Sequence, residues 1–399
     1  MKKYIKITTV LSLVMFLFIS GIASANSGQT IALGHNYTAL GGSAALFSNP
    51  AFVNKRDEKF VFELDGQLSF WNNGINSKYF NKYLDESDKE KILNNINSDG
   101  LVLTTDGIQN VKILVGPVGV FGGLKENIQG SISSDIIELI LKGNEIGKTY
   151  KLDDTDLSAG IYGDAGVNFS YPVKKAAKEM EINNFKIGGS FHYLYGAIIK
   201  VTGEGEAILD YNENSSEGRI RMEYAEKATG IAFDLGASFE INDKLMVGTS
   251  IMNIGSLKGE NARYSEMKLV QEGTEVTTEE IEDKAMEEEL VYKLPGKIKI
   301  GGKYNFRENI NLFVDYTLTD YDIGTTDHTL AGAVEYKPLK MLPLRLGANY
   351  STLQNSLAFS GGMGLYLGPI HLDLGFSDLK SFFQNAKGME AGLSVSLAF

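Results

Sequence analysis

The 399-residue sequence contains no cysteine, which removes disulfide scaffolds, thiol chemistry and a lipidated N-terminal cysteine from consideration. Proline is scarce at seven residues while glycine reaches 44, a balance that fits many strands joined by tight turns rather than a Pro-rich disordered chain. Basic residues are outnumbered, and the formal net charge of -12 argues against nucleic acid as a partner, because phosphate binding needs basic stripes. Histidine is confined to His35, His192, His328 and His371, none with a carboxylate or second histidine at zinc-like spacing. No nucleophile and base stand in a known motif relation, so neither an enzyme, a cofactor nor a metal centre is expected. Beyond the first residues no apolar run reaches the eighteen or so needed for a helical span. If the chain crosses a membrane, it crosses as a barrel.

The start of the chain carries a sorting pattern. Lys2, Lys3 and Lys6 form a basic start, Val10 to Ile22 is an apolar run, and Ala23-Ser24-Ala25 is a small-residue cleavage site. This order predicts a secretory signal peptide over residues 1–25. A membrane anchor fits less well, since the run is short for a span and no basic stop-transfer pattern follows.

The strongest positive signal is at the other end. Met389, Ala391, Leu393, Val395, Leu397 and Phe399 alternate with Glu390, Gly392, Ser394, Ser396 and Ala398. A period of two puts successive side chains on opposite faces of a sheet. The same pattern recurs in Phe60 to Phe70, Ile231 to Ile241, Ile310 to Thr319, Leu342 to Ser351 and Ile370 to Ser377, with the charges kept to one face. Most segments run about nine to thirteen residues, the span of a tilted membrane strand, whereas soluble strands centre near five or six.

Connections supply a second test, because outer-membrane barrels have short periplasmic turns and long external loops. Working back from Phe399, short connections fall at Gly116-Pro117, Asn242-Asp243, Arg307 to Asn309, Pro338 to Met341 and Gly368-Pro369, with a longer basic one at Pro172 to Asn183. Between them lie Asn72 to Gly107, Glu126 to Asp154, Lys200 to Gly230, Gly255 to Pro295, Asp320 to His328, a short Thr352 to Asn355, and Asp378 to Gly388. With Glu204 to Tyr211, Gly218 to Tyr224 and Ala262 to Gln271 taken as external extensions, about fourteen spans remain, an even number that leaves both ends in the periplasm. The fold class is therefore all-β: a transmembrane antiparallel β-barrel over residues 57–399, closed by the strand that ends on Phe399.

Several loop and terminal segments are candidates for function. Ser133 or Ser134 caps a helix carrying Ile136, Ile137, Leu139, Ile140 and Leu141, an apolar stripe that either packs on neighbouring loops, the commoner outcome, or forms a groove admitting a hydrophobic ligand. Ser87 to Ile96 is a second helix. Thr277 and Glu280 resemble a capping box opening an acidic helix, so residues 272–289 are either a solvated helical face or, less readily, a divalent-cation site. His371 and Asp373 share the inferred lumen face, where an ordinary polar role is far commoner than catalysis. Residues 26–56, rich in glycine and small side chains, are too apolar for a disordered tail and too glycine-rich for a span, and are read as a plug inside the barrel.

The stretch Leu33-Gly34-His35-Asn36-Tyr37-Thr38-Ala39 through Phe47-Ser48-Asn49-Pro50-Ala51 resembles the N-terminal hatch of the FadL-type outer-membrane transporters and their PorV-like relatives, with Asn49, Pro50 and Ala51 as its plug motif. Leu294-Pro295 ahead of Lys297 to Tyr304 resembles a pattern that recurs in that family, and Gly188 to Gly196, Gly230 to Gly236 and Met252 to Gly255 resemble a branch of it from anaerobic and Bacteroidetes-type bacteria. The resemblance implies a monomer in the outer membrane of a diderm bacterium, in contact with its lipids. It implies passive passage of fatty-acid-like or other hydrophobic small molecules, or alternatively a non-transporting scaffold that docks a secreted or surface protein. The final Phe399 is similar to the C-terminal aromatic signal read by barrel-insertion machinery. The chain departs from the family in its long acidic loops and in offering, among inferred lumen cations, only Arg345 and Lys303 with no assignable carboxylate clamp.

Overall fold

The computed structural model describes residues 28–53, 59–79, 83–96, 100–145, 147–208, 218–272, 275–322, 324–379 and 387–399, with backbone alone over 269–282. The signal peptide, residues 26–27 and residues 54–56 of the expected plug lie outside this set. Fourteen antiparallel strands form a closed transmembrane barrel. They are β1 Phe60–Asn72, β2 Leu101–Val115, β3 Val118–Ile132, β4 Asp156–Pro172, β5 Asn184–Glu204, β6 Arg219–Glu240 and β7 Leu245–Glu260. The second half comprises β8 Gly296–Arg307, β9 Ile310–Asp320, β10 Thr326–Leu339, β11 Leu342–Ser351, β12 Ser356–Leu367, β13 Ile370–Ser377 and β14 Gly388–Ala398. Each pairs with its sequence neighbour, and β14 returns to β1 from Val61↔Ala398 to Trp71↔Gly388. That closure leaves no sheet edge, the condition for a strand structure in lipid, where unpaired backbone groups find no water.

The faces are inverted relative to a soluble protein. Met389, Leu393, Val395 and Leu397 are exposed on the outer surface, while Glu390, Ser394 and Ser396 are buried inside. In β1, Leu64 points out while Glu63, Asp65 and Gln67 point in. An apolar outer band with a polar interior is stable only if the outside meets hydrocarbon. Two hairpins turn on Gly116 (φ 56°) and Gly368 (φ 61°), where the missing Cβ permits the left-handed conformation of a primed two-residue turn.

Strands β5 and β6 run to 21 and 22 residues, so much of the connection expected at Lys200 to Gly230 is strand that continues above the membrane. Beyond β7, Arg263–Glu272 pairs with β6 and turns back as Glu275–Ala285. This corrects the helix expected from Thr277: the acidic segment is extended, and its ladder to Arg263–Glu272 replaces the capping box. Leu290–Lys293 then pairs with β7 in the register that β8 continues, interrupted only around Leu294 and Pro295, which has no N–H for the ladder.

The external helices are where the sequence places them. Helix α1 is the short Gly28–Ala32 inside the barrel; α2, Glu86–Asn95, opens on a capping box between Asp85 and Asp88. Helix α3, Ser134–Lys142, is capped by Ser133, whose side chain accepts from the Asp135 N–H. The basic connection on the opposite rim forms α4, Lys174–Glu179.

Candidate functional site

The interior of the barrel is where, among the described residues, chain from outside the wall meets converging polar side chains. Residues 28–53 cross it. Helix α1 lies against β12, β13 and β14, the 3-10 turn Gly42–Phe47 against β1 and β2, and the turn Pro50–Phe52 against β4, β5 and β6. Asn49 sets the last turn in place: its side chain accepts from the Ala51 N–H (3.1 Å), its Nδ2 donates to the Ala237 carbonyl (3.0 Å), and Pro50 supplies a preset first helical φ. Asn49, Pro50 and Ala51 are all buried. Wall glycines make room for this close approach; a Cβ on Gly188 would sit 2.4 Å from the Pro50 carbonyl carbon, and one on Gly347 2.5 Å from that of Leu33.

The segment is tied by discrete contacts rather than by a sheet ladder. The Thr38 N–H donates to Asp315 (2.9 Å), Ser250 Oγ donates to the Ser48 carbonyl (2.6 Å), Ser170 Oγ to the Ala51 carbonyl (2.9 Å), and Ser43 Oγ to Glu63 (2.6 Å). The Lys299 ammonium lies 3.7 Å from the Tyr37 ring centroid. His35, held at φ 69°, places Nε2 2.8 Å from Glu390, which also accepts from Gln67. Burial opposes charge on His35, but the Glu390 carboxylate outweighs it and holds the imidazole above its ordinary pKa. Burial pushes the Tyr37 and Tyr321 phenols up, so both remain neutral donors.

A cavity lies on each side of the segment. The upper one, of about 180 Å³, is bounded by His35 and Tyr37 below and reaches Tyr321 and Gln354 in the external connections. The lower one, of about 160 Å³, lies between Gln29, Leu40 and Ser43 and the periplasmic ends of the strands, including Lys303, Lys337 and His371. The other side of the lumen is packed and apolar: Tyr162, Leu194, Ile198, Ala228 and Leu257 from β4 to β7 enclose Leu290, Tyr292 and Leu294. Tyr292 is wholly buried and donates its hydroxyl to Asn127 (2.5 Å).

Several of the wall charges facing inward are paired with one another. Arg345 binds Glu335 (2.8 Å), Asp373 (2.5 Å) and the Tyr366 hydroxyl (2.7 Å), which engages all three of its nitrogens in a fully buried side chain and leaves no open fork for a ligand carboxylate. Lys112 bridges Glu63 and Asp65. His192 sits between Asp164 (3.0 Å) and Asp234 (2.9 Å), with Lys125 on Asp164 at 2.5 Å. Asp234 also accepts from the N–H of Asn253 (2.7 Å), closing the wall at the β6–β7 bulge. None of the His192 contacts was visible as sequence spacing. His371 stacks on Tyr366, 4.4 Å between centroids.

Outside the lumen, Ile137 and Leu141 of α3 pack with Ile92, Ile96 and Leu101, and Leu139 packs on Tyr150, while Ile140 is half exposed and Ile136 partly so. In the acidic hairpin Asp283 is bound by Arg263 at 2.8 Å, and the side chains of Glu279, Glu280 and Glu282 lie outside the described residues. Among the described residues no cluster of three metal-ligating side chains occurs. At the periplasmic rim the Phe399 carbonyl accepts from Lys59 (2.7 Å) and Phe60 (3.1 Å), and its N–H donates to the Phe60 carbonyl (2.9 Å).

Residues 198–376 match the model of a family of unknown function, DUF5723. No curated protein matches the sequence. Among solved structures, the chain is similar to the Ralstonia pickettii toluene transporter TbuX, with 13% identity over 94% of this chain and 99% of that one at a TM-score of 0.56. It is similar to the P. putida toluene transporter TodX, with 15% identity over 94% and 99% at 0.56. A Pseudomonas aeruginosa FadL homologue aligns at 12% identity over 94% and 99% at 0.52. The fourteen-stranded barrel with its N-terminal segment in the lumen has the fold of the FadL-type outer-membrane channels.

Proposed function

We propose that this chain is an outer-membrane channel through which small molecules diffuse down their gradient, with residues 28–53 as its plug. One observation carries the reading: a segment anchored by separate side-chain contacts lies between a cavity on the outer side and one on the periplasmic side. A seat of that kind is released one hydrogen bond at a time, at about 1 kcal/mol net each, whereas a strand added to the wall would resist as a unit. The fold supports a hydrophobic, fatty-acid-like cargo, since the similar channels include toluene transporters and a FadL homologue. Such a cargo suits the apolar side around Leu194, Ile198 and Leu257, reached by displacing Tyr292, with Ile136 and Ile140 as the accessible edge of α3. Nothing in the comparisons supports a docking scaffold.

The test is conductance in planar bilayers of the whole chain and of a variant lacking residues 28–53, together with mass spectrometry of solvent extracts from the purified whole chain. The reading expects a raised conductance on deletion and a retained hydrophobic molecule. Equal conductance would refute the plug, and an empty extract with unaltered uptake in a deletion strain would refute the hydrophobic cargo.

A further inference from the structure

The hollow side of the lumen has a different chemistry from the packed side, and it carries a conclusion about the solute. The upper cavity, about 180 Å³, is close to the roughly 150 Å³ that holds one benzene, so it is sized for a single six-membered ring. Its walls do not suit a hydrocarbon. Thr317 and Thr319 of β9, Asn349 of β11, Gln67 of β1 and Lys297 of β8 all face it. Gln67 is 4% exposed; its Nε2 is bound to Glu390, while its Oε1 is buried without a partner. That acceptor has no accessible surface, so a donor meets it only when the side chain turns toward the cavity that Gln67 lines. Trp71, the sole tryptophan of the chain, lines the same cavity and is buried. An aromatic face beside hydroxyls, amides and paired carboxylates matches the apolar C–H face and hydroxyl rim of a pyranose, whereas an arene would leave those groups unsatisfied.

We propose that this chamber is a binding site for a neutral, single-ring polyhydroxylated solute of hexose size. That the solute is cargo rests on the channel reading above; that it binds does not. A hexose has about twelve non-hydrogen atoms, and at ordinary ligand efficiencies its Kd is on the order of 1 mM.

Trp71 makes the experiment direct, because its emission reports this chamber alone. The whole chain, kept in a detergent without a sugar headgroup, is titrated with glucose and separately with toluene while tryptophan fluorescence is read. The expected result is a saturable change with glucose and none with toluene, and a five- to tenfold weaker glucose response in Gln67→Leu, on the order expected for one lost hydrogen bond. Should Gln67→Leu fail to fold by circular dichroism, the double variant Thr317→Val, Thr319→Val removes two hydroxyls at little change in shape and must show the same weakening. No saturable change up to about 100 mM glucose, a hundred times the expected Kd, overturns the proposal. So does saturation by toluene alone. Glucose uptake into proteoliposomes is measured beside it: binding without uptake leaves the site and counts against the solute as cargo, and uptake without binding counts against the site and leaves the channel.

Discussion

Replacing Gly188 with alanine tests how the plug is seated. The new Cβ would lie 2.4 Å from the Pro50 carbonyl carbon and 2.5 Å from the Ala51 nitrogen, both backbone atoms with no rotamer to yield. Contact at about 3.5 Å or more is needed, so the turn Pro50–Phe52 must lift by roughly 1 Å. Overpacking of this kind costs about 1–3 kcal/mol. The anchors beside it, Asn49 to Ala237, Ser250 to Ser48 and Ser170 to Ala51, contribute about 1 kcal/mol each, so strain and anchoring are comparable. The displaced population should rise about five- to 150-fold, at tenfold per 1.4 kcal/mol. Gly189→Ala is the matched control, because its Cβ would meet only the Asp234 carbonyl oxygen at 3.5 Å and Leu235 at 3.8 Å. Single-channel open probability in planar bilayers, backed by protease cleavage within residues 28–53, reads the difference. If the two alanine variants open alike, the seat at Gly188 does not hold the plug.

Other perturbations bear on separate parts of the molecule. His35 has its folded pKa raised, so its bond to Glu390 stabilises the seated plug fully below pH 6.5 and that contribution is lost as pH rises through the higher folded value; protease access to residues 28–53 should increase over that window, and His35→Gln should flatten the profile. Arg345→Met removes the ion-pair partner of the buried Asp373 and leaves Glu335 with Lys337 at 3.1 Å, and should cost about 3–5 kcal/mol in urea unfolding, far more than the exposed Lys258→Met, whose pair with Glu289 is worth under about 1 kcal/mol. Deleting Phe399 removes three backbone hydrogen bonds that fasten β14 to β1 and should lower the yield of membrane-inserted barrel, whereas Ser394→Ala should not; equal yields would count against Phe399 as an assembly signal.

Legibility followed the range of the interaction involved. Alternation in Met389 to Phe399 is a local pattern, and it placed Glu390 and Ser394 inside and Leu393 and Val395 outside, because the pleat allows no other assignment. Caps are local too, so the helices near Ser87 and Ser133 were readable within a residue or two. The Thr277 segment misled because a Thr and a Glu three residues apart signal a helix, while the β-branched run Val276-Thr277-Thr278 and a partner strand at Arg263–Glu272 favour extension. His192 lay beyond reach for a different reason. Its carboxylates are 28 residues upstream and 42 downstream, and become neighbours only through the registers of β4 with β5 and β5 with β6.

The same distinction separates what sets the fold from what sets selectivity. Strand number, closure and a lumenal segment are set by backbone pairing and outward apolar residues, which is why chains at 13–15% identity share them. Selectivity is set by the inward residues, one in two along each strand, and pairing places no demand on them beyond satisfying their own polar groups. In this chain the inward positions of β4 to β7 near the outer end are apolar and filled by Tyr292, while those of β8 to β14 and β1 that line the outer cavity are mostly hydroxyl, amide and charge around open space. A hydrocarbon entering that open half would strip hydration from Thr317 and Asn349 without replacing it, whereas a polyol replaces each water it displaces. The two halves of the lumen therefore suit different solutes: the apolar half the hydrophobic cargo proposed above, and the hollow, polar half the polyhydroxylated ring.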